Sequence, residues 1–227
     1  MTHGSRTGRI GILGGTLDPI HVGHIEAASA ARKALDLDVI IVMPSRIPPH
    51  RHQEPSASVF HRFAMAALAV GGLDAFQVSD DELCTDGPSY TALMLERLTA
   101  RGLTRSQIFF ITGSDAFAEI ETWYGYPAVL DLANFVVVSR PGVASAAVID
   151  RVPALRDRLH AAGGRMTVGT EPSVFLVDAQ TPDVSSTEIR RRLRAGSSIS
   201  GLVPPPVENH ILRHRLYVDQ PVADHLQ

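Results

Sequence analysis

The chain has 227 residues, 44% of them hydrophobic and 20% charged, with a formal net charge of -3. That size and balance suit one large α/β domain whose core needs no staples, and they exclude a disordered or fibrous chain. The slight negative charge gives no overall basic field for nucleic acid, and Cys84, the single cysteine, cannot form an intrachain disulfide and suits a reducing compartment.

In chain order, short apolar runs alternate with helix-like segments. Ile10–Leu13, Val39–Met43, Ala75–Val78, Ile108–Thr112, Phe135–Ser139 and Val174–Val177 read as strands. Between and after them, helices are expected near Val22–Leu35, Ser58–Val70, Tyr90–Arg101, Ala116–Thr122, Ala144–Ala161, Thr187–Arg194 and Pro206–Tyr217. Strands apolar on both faces, separated by crossover helices, predict a parallel sheet covered on both sides. The fold expected is α/β, a Rossmann-like doubly wound parallel sheet whose ligands gather beyond the carboxyl ends of the strands. One domain is expected over residues 9–218, with flexible tails at 1–8 and 219–227. The Ala/Arg-rich Val143–Gly164 stretch reads as a variable insertion, and "VPPP" at Val203–Pro206 as a rigid connector. The longest run without charged or strongly polar residues, Phe63–Leu73, is shorter than the roughly 18 residues of a membrane span. The start, "MTHGSRTGRIGIL", lacks the features of a signal peptide, so a cytoplasmic location with no membrane partner is expected.

Two stretches carry chemistry. The first is "GILGGTLDPIHVGH", Gly11 to His24, between the first strand and the first helix. Gly14 and Gly15 let backbone N–H groups approach a ligand, and the helix start adds unpaired donors and the positive end of a dipole. Neither a Rossmann G-x-G-x-x-G nor a Walker loop is present. Instead His21 and His24 sit at i and i+3, where imidazoles can donate to phosphate oxygens. Such a pair could also begin a metal site, but no third ligand lies nearby in sequence and no metal ligand is assigned.

The second stretch is "VSSTEIRRRLRAG", Val184 to Gly196. Ser185 and Glu188 have capping-box spacing, with Ile189 and Leu193 as an apolar stripe. A capped surface helix with a solvated arginine face explains this as well as a phosphate cradle does. In the cradle, Ser185, Ser186 and Thr187 supply hydroxyls and N–H groups, and Arg190 supplies a fork suited to phosphate. Two such helix starts in one chain suit a polyphosphate held from both sides. No candidate protein nucleophile stands beside a general base, as covalent catalysis would require.

With these two stretches the chain resembles the nucleotidyltransferase superfamily of the HxGH type. "PSRIPPHR" (Pro44–Arg51), "PSYT" (Pro88–Thr91), "ITGSDAFAEIETW" (Ile111–Trp123), "FVVVSRPG" (Phe135–Gly142) and "LVPPPVENHILRHRLY" (Leu202–Tyr217) make it similar to the nicotinate-nucleotide adenylyltransferases of the bacterial NAD pathway. The resemblance implies the nucleotidyltransferase fold and an adenylyl transfer from ATP to nicotinate mononucleotide, with Mg²⁺, giving deamido-NAD and pyrophosphate. It implies that His21 and His24 contact the ATP phosphates, His24 nearest the α-phosphate. Ser186, Thr187 and Arg190 would hold the β- and γ-phosphates, and Gly14, Gly15 and Thr16 would frame the nucleotide phosphates. Gly113, Asp115 and Arg140 would surround the adenosine or the substrate phosphate. On the acceptor side it implies Asp18, His50 and Arg51 near the substrate, with Tyr90 and Thr91 at a helix start facing the nicotinate carboxylate. Trp123, the single tryptophan, would stack on the pyridine ring; by its residue type alone it reads as a partly buried core aromatic. His50 and Arg51 alone read as a solvated basic loop.

There are three departures from the family's pattern. Leu17 stands where Phe is usual, Arg51 where Lys commonly follows Pro-Pro-His, and Leu93-Met94 replace a polar Asp-Thr pair. The alternatives are an adenylyltransferase for nicotinamide mononucleotide or another phosphate such as phosphopantetheine, or a non-catalytic nucleotide-binding protein of the same fold. A homo-oligomer is compatible with the sequence.

Overall fold

A computed structural model describes residues 8–49, 55–139, 152–161 and 171–218. Seven strands form one sheet: β1 (Ile10–Gly15), β2 (Val39–Pro44), β3 (Phe76–Val78), β4 (Ile108–Gly113), β5 (Asn134–Val138), β6 (Leu159–Ala161) and β7 (Val174–Val177). Their order is β3-β2-β1-β4-β5-β7-β6, and every pairing is parallel. The helices are α1 (Val22–Leu35), α2 (Val59–Val70), α3 (Thr91–Ala100), α4 (Ser114–Phe117), α5 (Ser186–Arg194) and α6 (Pro205–Arg213).

The two-residue period of the strands explains why they are apolar throughout. Leu13, Phe109, Ile111, Val136, Val138 and Phe175 point to one face, where they meet the buried sides of α1, α2, α5 and α6. Ile12, Ile108, Phe110, Phe135, Val137 and Leu176 point to the other, against α3 and the turns around Ile120 and Val129. Adjacent residues thus enter different cores, and a polar substitution in β4 or β5 would be buried whichever way it faced.

Chain order reverses between β1 and β4, and the carboxyl ends of these two neighbours open the crevice in which such sheets bind ligands. Among the described residues no helix is long and apolar enough to cross a membrane.

Several expectations are corrected. The helix read over Ala116–Thr122 is broken: α4 ends at Phe117, and a separate 3-10 turn covers Ile120–Thr122. The helix read over Ala144–Ala161 begins outside the described residues, and its described part holds a 3-10 turn (Pro153–Arg158) and strand β6. A three-residue edge strand pairing with β7 from Leu159 has too little sequence to show a period. The last helix stops at Arg213 rather than Tyr217, because Arg215 (φ 48°) and Tyr217 (φ 65°) turn into the left-handed region. Strand β3 starts one residue late for the same reason, with Ala75 at φ 63°. The expected tails, apart from Gly8, and most of Val143–Gly164 lie outside the described residues.

Candidate active site

Two cavities meet at the β1/β4 crevice. One, of about 390 Å³, is lined by Gly14, Gly15 and Thr16 from the opening loop, Tyr90 and Thr91 from the start of α3, and Trp123 with Tyr124. The other, of about 280 Å³, is lined by His21 and His24, by Gly113 and Asp115 at the end of β4, and by Ser139 and Val184. Gly14, Thr112 and Ala116 belong to both. The cavities are therefore two halves of one site, with the ends of β1 and β4 as the seam.

Packing by itself favours glycine at position 14. A Cβ there would stand 2.9 Å from Cε2 of Phe110, the ring that meets Trp123 edge-on at 6.0 Å between centroids. Trp123 also packs against Phe135 at 6.4 Å. So Trp123 is at once part of an aromatic cluster and a wall of the larger cavity, and its two readings are compatible. Tyr124, missed in the sequence, stacks on Tyr90 with centroids 4.5 Å apart. The signal available was its place beside Trp123 in "WYGY". Met94 faces the same cavity while Leu93 is exposed, so only one of the two departing residues borders the cleft. Glu82, which nothing in the sequence marked, lies in the wall, its carboxylate bonded by Arg97.

The histidines open α1. His21 is the N-cap residue, buried, and its ring stacks on His24 at 3.7 Å with planes 29° apart. The backbone N–H of His21 donates to Nδ1 of His24 at 3.2 Å. A nitrogen accepting an N–H carries no proton, so neutral His24 holds its ring proton on Nε2. One imidazole thus caps the helix with one nitrogen and has a donor on the other.

The expected phosphate cradle spends much of its hydrogen bonding on the opening loop. Ser186 Oγ donates to the Pro19 carbonyl at 2.9 Å. Arg190 Nη1 donates to the Asp18 carbonyl at 2.6 Å, and its Nη2 to Thr187 Oγ1 at 3.3 Å. Ser185 caps α5 by accepting from the Glu188 N–H at 3.2 Å. The box is not reciprocal, since the Glu188 carboxylate turns to Arg191 and Arg192, which hold its pKa down to about 2. Neither cavity is lined by Ser185, Ser186, Thr187 or Arg190, although Val184 just before them is.

Asp18 is placed differently from the expected substrate contact. It is fully buried, and its carboxylate accepts from Ser56 N at 2.9 Å, Ala57 N at 3.1 Å and the Tyr217 hydroxyl at 2.9 Å. The carboxylate braces the loop from beneath rather than facing the cleft. Arg62, also unmarked in the sequence, is 1% exposed and donates to the carbonyls of Thr16, Ser45, Arg46 and Ala57 at 2.6 to 3.2 Å. One guanidinium thereby ties the ends of β1 and β2 to the start of α2. His50, Arg51 and Arg140 lie outside the described residues.

The cytidylyltransferase-like family model matches residues 12–192. The chain is 39% identical to a protein of Geotalea daltonii over 214 residues, covering 93% of this chain and 99% of that one. It is 36% identical to one of Shewanella putrefaciens over 223 residues, covering 92% and 99%. Both are named probable nicotinate-nucleotide adenylyltransferase. Among solved structures it is similar to the Plasmodium falciparum nicotinic acid mononucleotide adenylyltransferase complexed with NaAD, at a TM-score of 0.63 and 18% identity, covering 92% of this chain and 97% of that one. At that identity the structural likeness speaks for the fold.

Proposed function

The chain belongs to the cytidylyltransferase-like family, and from that premise we propose that it transfers the adenylyl group of ATP to nicotinate mononucleotide, releasing pyrophosphate and deamido-NAD. The observation that carries this reading is the pair of cavities sharing Gly14, Thr112 and Ala116. A two-substrate transfer needs two pockets that open on one another where the bond is made and broken. The histidine side takes ATP, and the aromatic side takes the pyridine mononucleotide.

The chemistry requires no protein nucleophile. The acceptor's own phosphate attacks the α-phosphorus in line, so the protein has to position both substrates and balance the charge that builds up. His24 donates from Nε2 toward the α-phosphate, and His21 holds the ring of His24 in place by stacking. Gly14, Gly15 and Thr16 frame the phosphates along the seam, and Gly113 with Asp115 borders the nucleoside. Arg190 and Ser186 brace the opening loop, and with Thr187 they would meet only the part of the triphosphate that extends beyond the two cavities. On the acceptor side Trp123 stacks on the pyridine, and the first N–H groups of α3 at Thr91 receive its carboxylate. Tyr90 reinforces that corner through Tyr124.

Mg²⁺ completes the reading as the companion of the triphosphate. Among the described residues no three His, Cys, Asp or Glu side chains come together to hold a metal. Mg²⁺ with a nucleotide is commonly held by phosphate oxygens, water and one or two carboxylates. Asp115, which lines the cavity proposed for ATP, would be the protein carboxylate beside it. A cytoplasmic location accords with this chemistry.

One observation favours keeping the amide as a second acceptor. Met94 borders the cleft where the family's pattern has a polar side chain, which removes a hydrogen-bonding partner from the pyridine end. Purified protein given ATP, Mg²⁺ and nicotinate mononucleotide should release pyrophosphate, faster than with nicotinamide mononucleotide. No pyrophosphate with either compound would sink the assignment, and faster turnover of the amide would transfer it.

A further inference from the structure

The turn that carries Trp123 is joined to two elements of the larger cavity. One is β4, whose Phe110 meets the indole edge-on. The other is the start of α3, and the next two residues of the turn make that link. The ring of Tyr124 stacks on the ring of Tyr90, with centroids 4.5 Å apart and planes 27° apart. Gly125, at φ 82°, brings the chain so near α3 that a Cβ there would stand 3.3 Å from Cβ of Ala92. Left-handed backbone and close approach both favour glycine at that position. A ring stack and a backbone contact thus dock the Trp123 turn on the first turn of α3.

Burial explains little of the stack. Tyr124 is 53% exposed, and Tyr90, the N-cap residue of α3, makes no side-chain cap hydrogen bond. Both line the larger cavity together with Thr91 and Trp123. What the stack fixes is a spacing. The indole is the platform proposed for the pyridine, and the first N–H groups of α3 are the donors proposed for its carboxylate. One belongs to the Trp123 turn and the other to α3, so they serve a single ligand only while the two segments stay in register. Hydrogen bonds to a carboxylate weaken steeply with misalignment, whereas ring stacking tolerates an offset. Loosening the stack therefore harms recognition of the charged group more than recognition of the ring.

We propose that Tyr124 is a positioning residue for the acceptor: its stack on Tyr90 sets the spacing between the Trp123 platform and the start of α3. Through that spacing it sets the preference for a pyridine bearing a carboxylate over one bearing an amide. This rests on the reading of the aromatic cavity as the mononucleotide side. The ring of Tyr124 does this, and its hydroxyl has no part in it.

The test uses the full chain and the fluorescence of Trp123, which as the single tryptophan reports on the platform itself. Nicotinate mononucleotide and nicotinamide mononucleotide are titrated into the parent, Tyr124→Ala and Tyr124→Phe. ATP binding is measured by calorimetry, and the thermal transition is followed. Tyr124→Ala should bind the acid roughly fivefold more weakly, the loss expected for one aromatic pair, with the amide and ATP within about twofold of the parent. Tyr124→Phe keeps the stack and should bind all three as the parent does. Unchanged affinity for the acid in the Ala variant would overturn the proposal, as would an equal loss for acid and amide, the mark of a purely structural role. A Phe variant as weak as the Ala variant, or a parent that binds the amide as tightly as the acid, would overturn it too. Should the Ala variant fail to unfold cooperatively, Tyr124→Leu replaces it, keeping apolar bulk without the stack, and the same outcomes decide. A parent that binds the acid but makes no pyrophosphate would sink the transfer reading and leave the titrations to decide this proposal. A parent whose fluorescence responds to neither mononucleotide would remove both.

Discussion

His21 and His24 lie ring over ring at 3.7 Å, and the backbone N–H of His21 fixes Nδ1 of His24 as an acceptor. The i, i+3 spacing is thus a device for choosing a tautomer. It leaves the ring proton of neutral His24 on Nε2, the nitrogen the helix cap does not use.

Replacing His24 by Ala removes that donor. The expected result is a kcat lowered roughly 100-fold or more, with a thermal transition still cooperative, as for other losses of a donor to transition-state charge. A kcat within a few-fold of the parent would remove His24 from the chemistry.

Trp123→Ala addresses the division of the site. Its ring walls the larger cavity and is not among the residues that line the smaller one. The KM for the mononucleotide should rise roughly tenfold or more, the loss expected for one stacking platform. The KM for ATP should change by less than about twofold. A matching rise in both would mean that the two cavities do not divide the substrates as proposed.

Arg62 makes a prediction about stability. The buried guanidinium serves four carbonyls that belong to three segments. Arg62→Leu leaves those acceptors without their donor and should cost roughly 3 kcal/mol or more in urea denaturation. Arg62→Lys should recover only part of this, because a point charge cannot reproduce the fork. A cost below about 1 kcal/mol would show that the carbonyls find other partners.

A pH dependence follows from the histidines where α2 meets α6. His61 Nδ1 is 3.1 Å from His210 Nε2, and the rings of His210 and His214 lie 4.4 Å apart. The pKa of His210 is lowered from 6.5 by burial first, then by His214 and His61. Because the folded value is the lower one, the unfolded chain takes up the proton first as pH falls. The stability contribution is complete above pH 6.5, declines as the pH drops below it, and levels off under the folded pKa. Urea midpoints between pH 8 and 5 should show this decline, and His210→Asn should flatten it. An identical slope in the variant would place the dependence elsewhere.

Local patterns gave the reading of the fold. Helix α1 runs over the expected Val22–Leu35, and α5 starts one residue before the expected Thr187, since caps and apolar spacing are written within a few residues of each other. The turn from β1 through the glycines into the paired histidines of α1 was legible for the same reason. Tyr124 and Glu82 escaped because their place in a cavity wall depends on how α3 and the Trp123 turn come together.

What the sequence by itself determined is the parallel α/β sheet, the loop with its paired histidines, and the second helix start at Ser185. These depend on spacing within single segments, which short-range sterics and hydrogen bonding enforce. Only the tertiary structure decided what those residues hold. Arg190 meets the Asp18 carbonyl across 172 positions of chain, and Tyr217 reaches the Asp18 carboxylate across 199. No pattern in one segment records such partners, because they are selected by where the sheet order brings segments together. Asp18 shows the consequence: a side chain expected to face a ligand is instead the buried acceptor on which the loop is built.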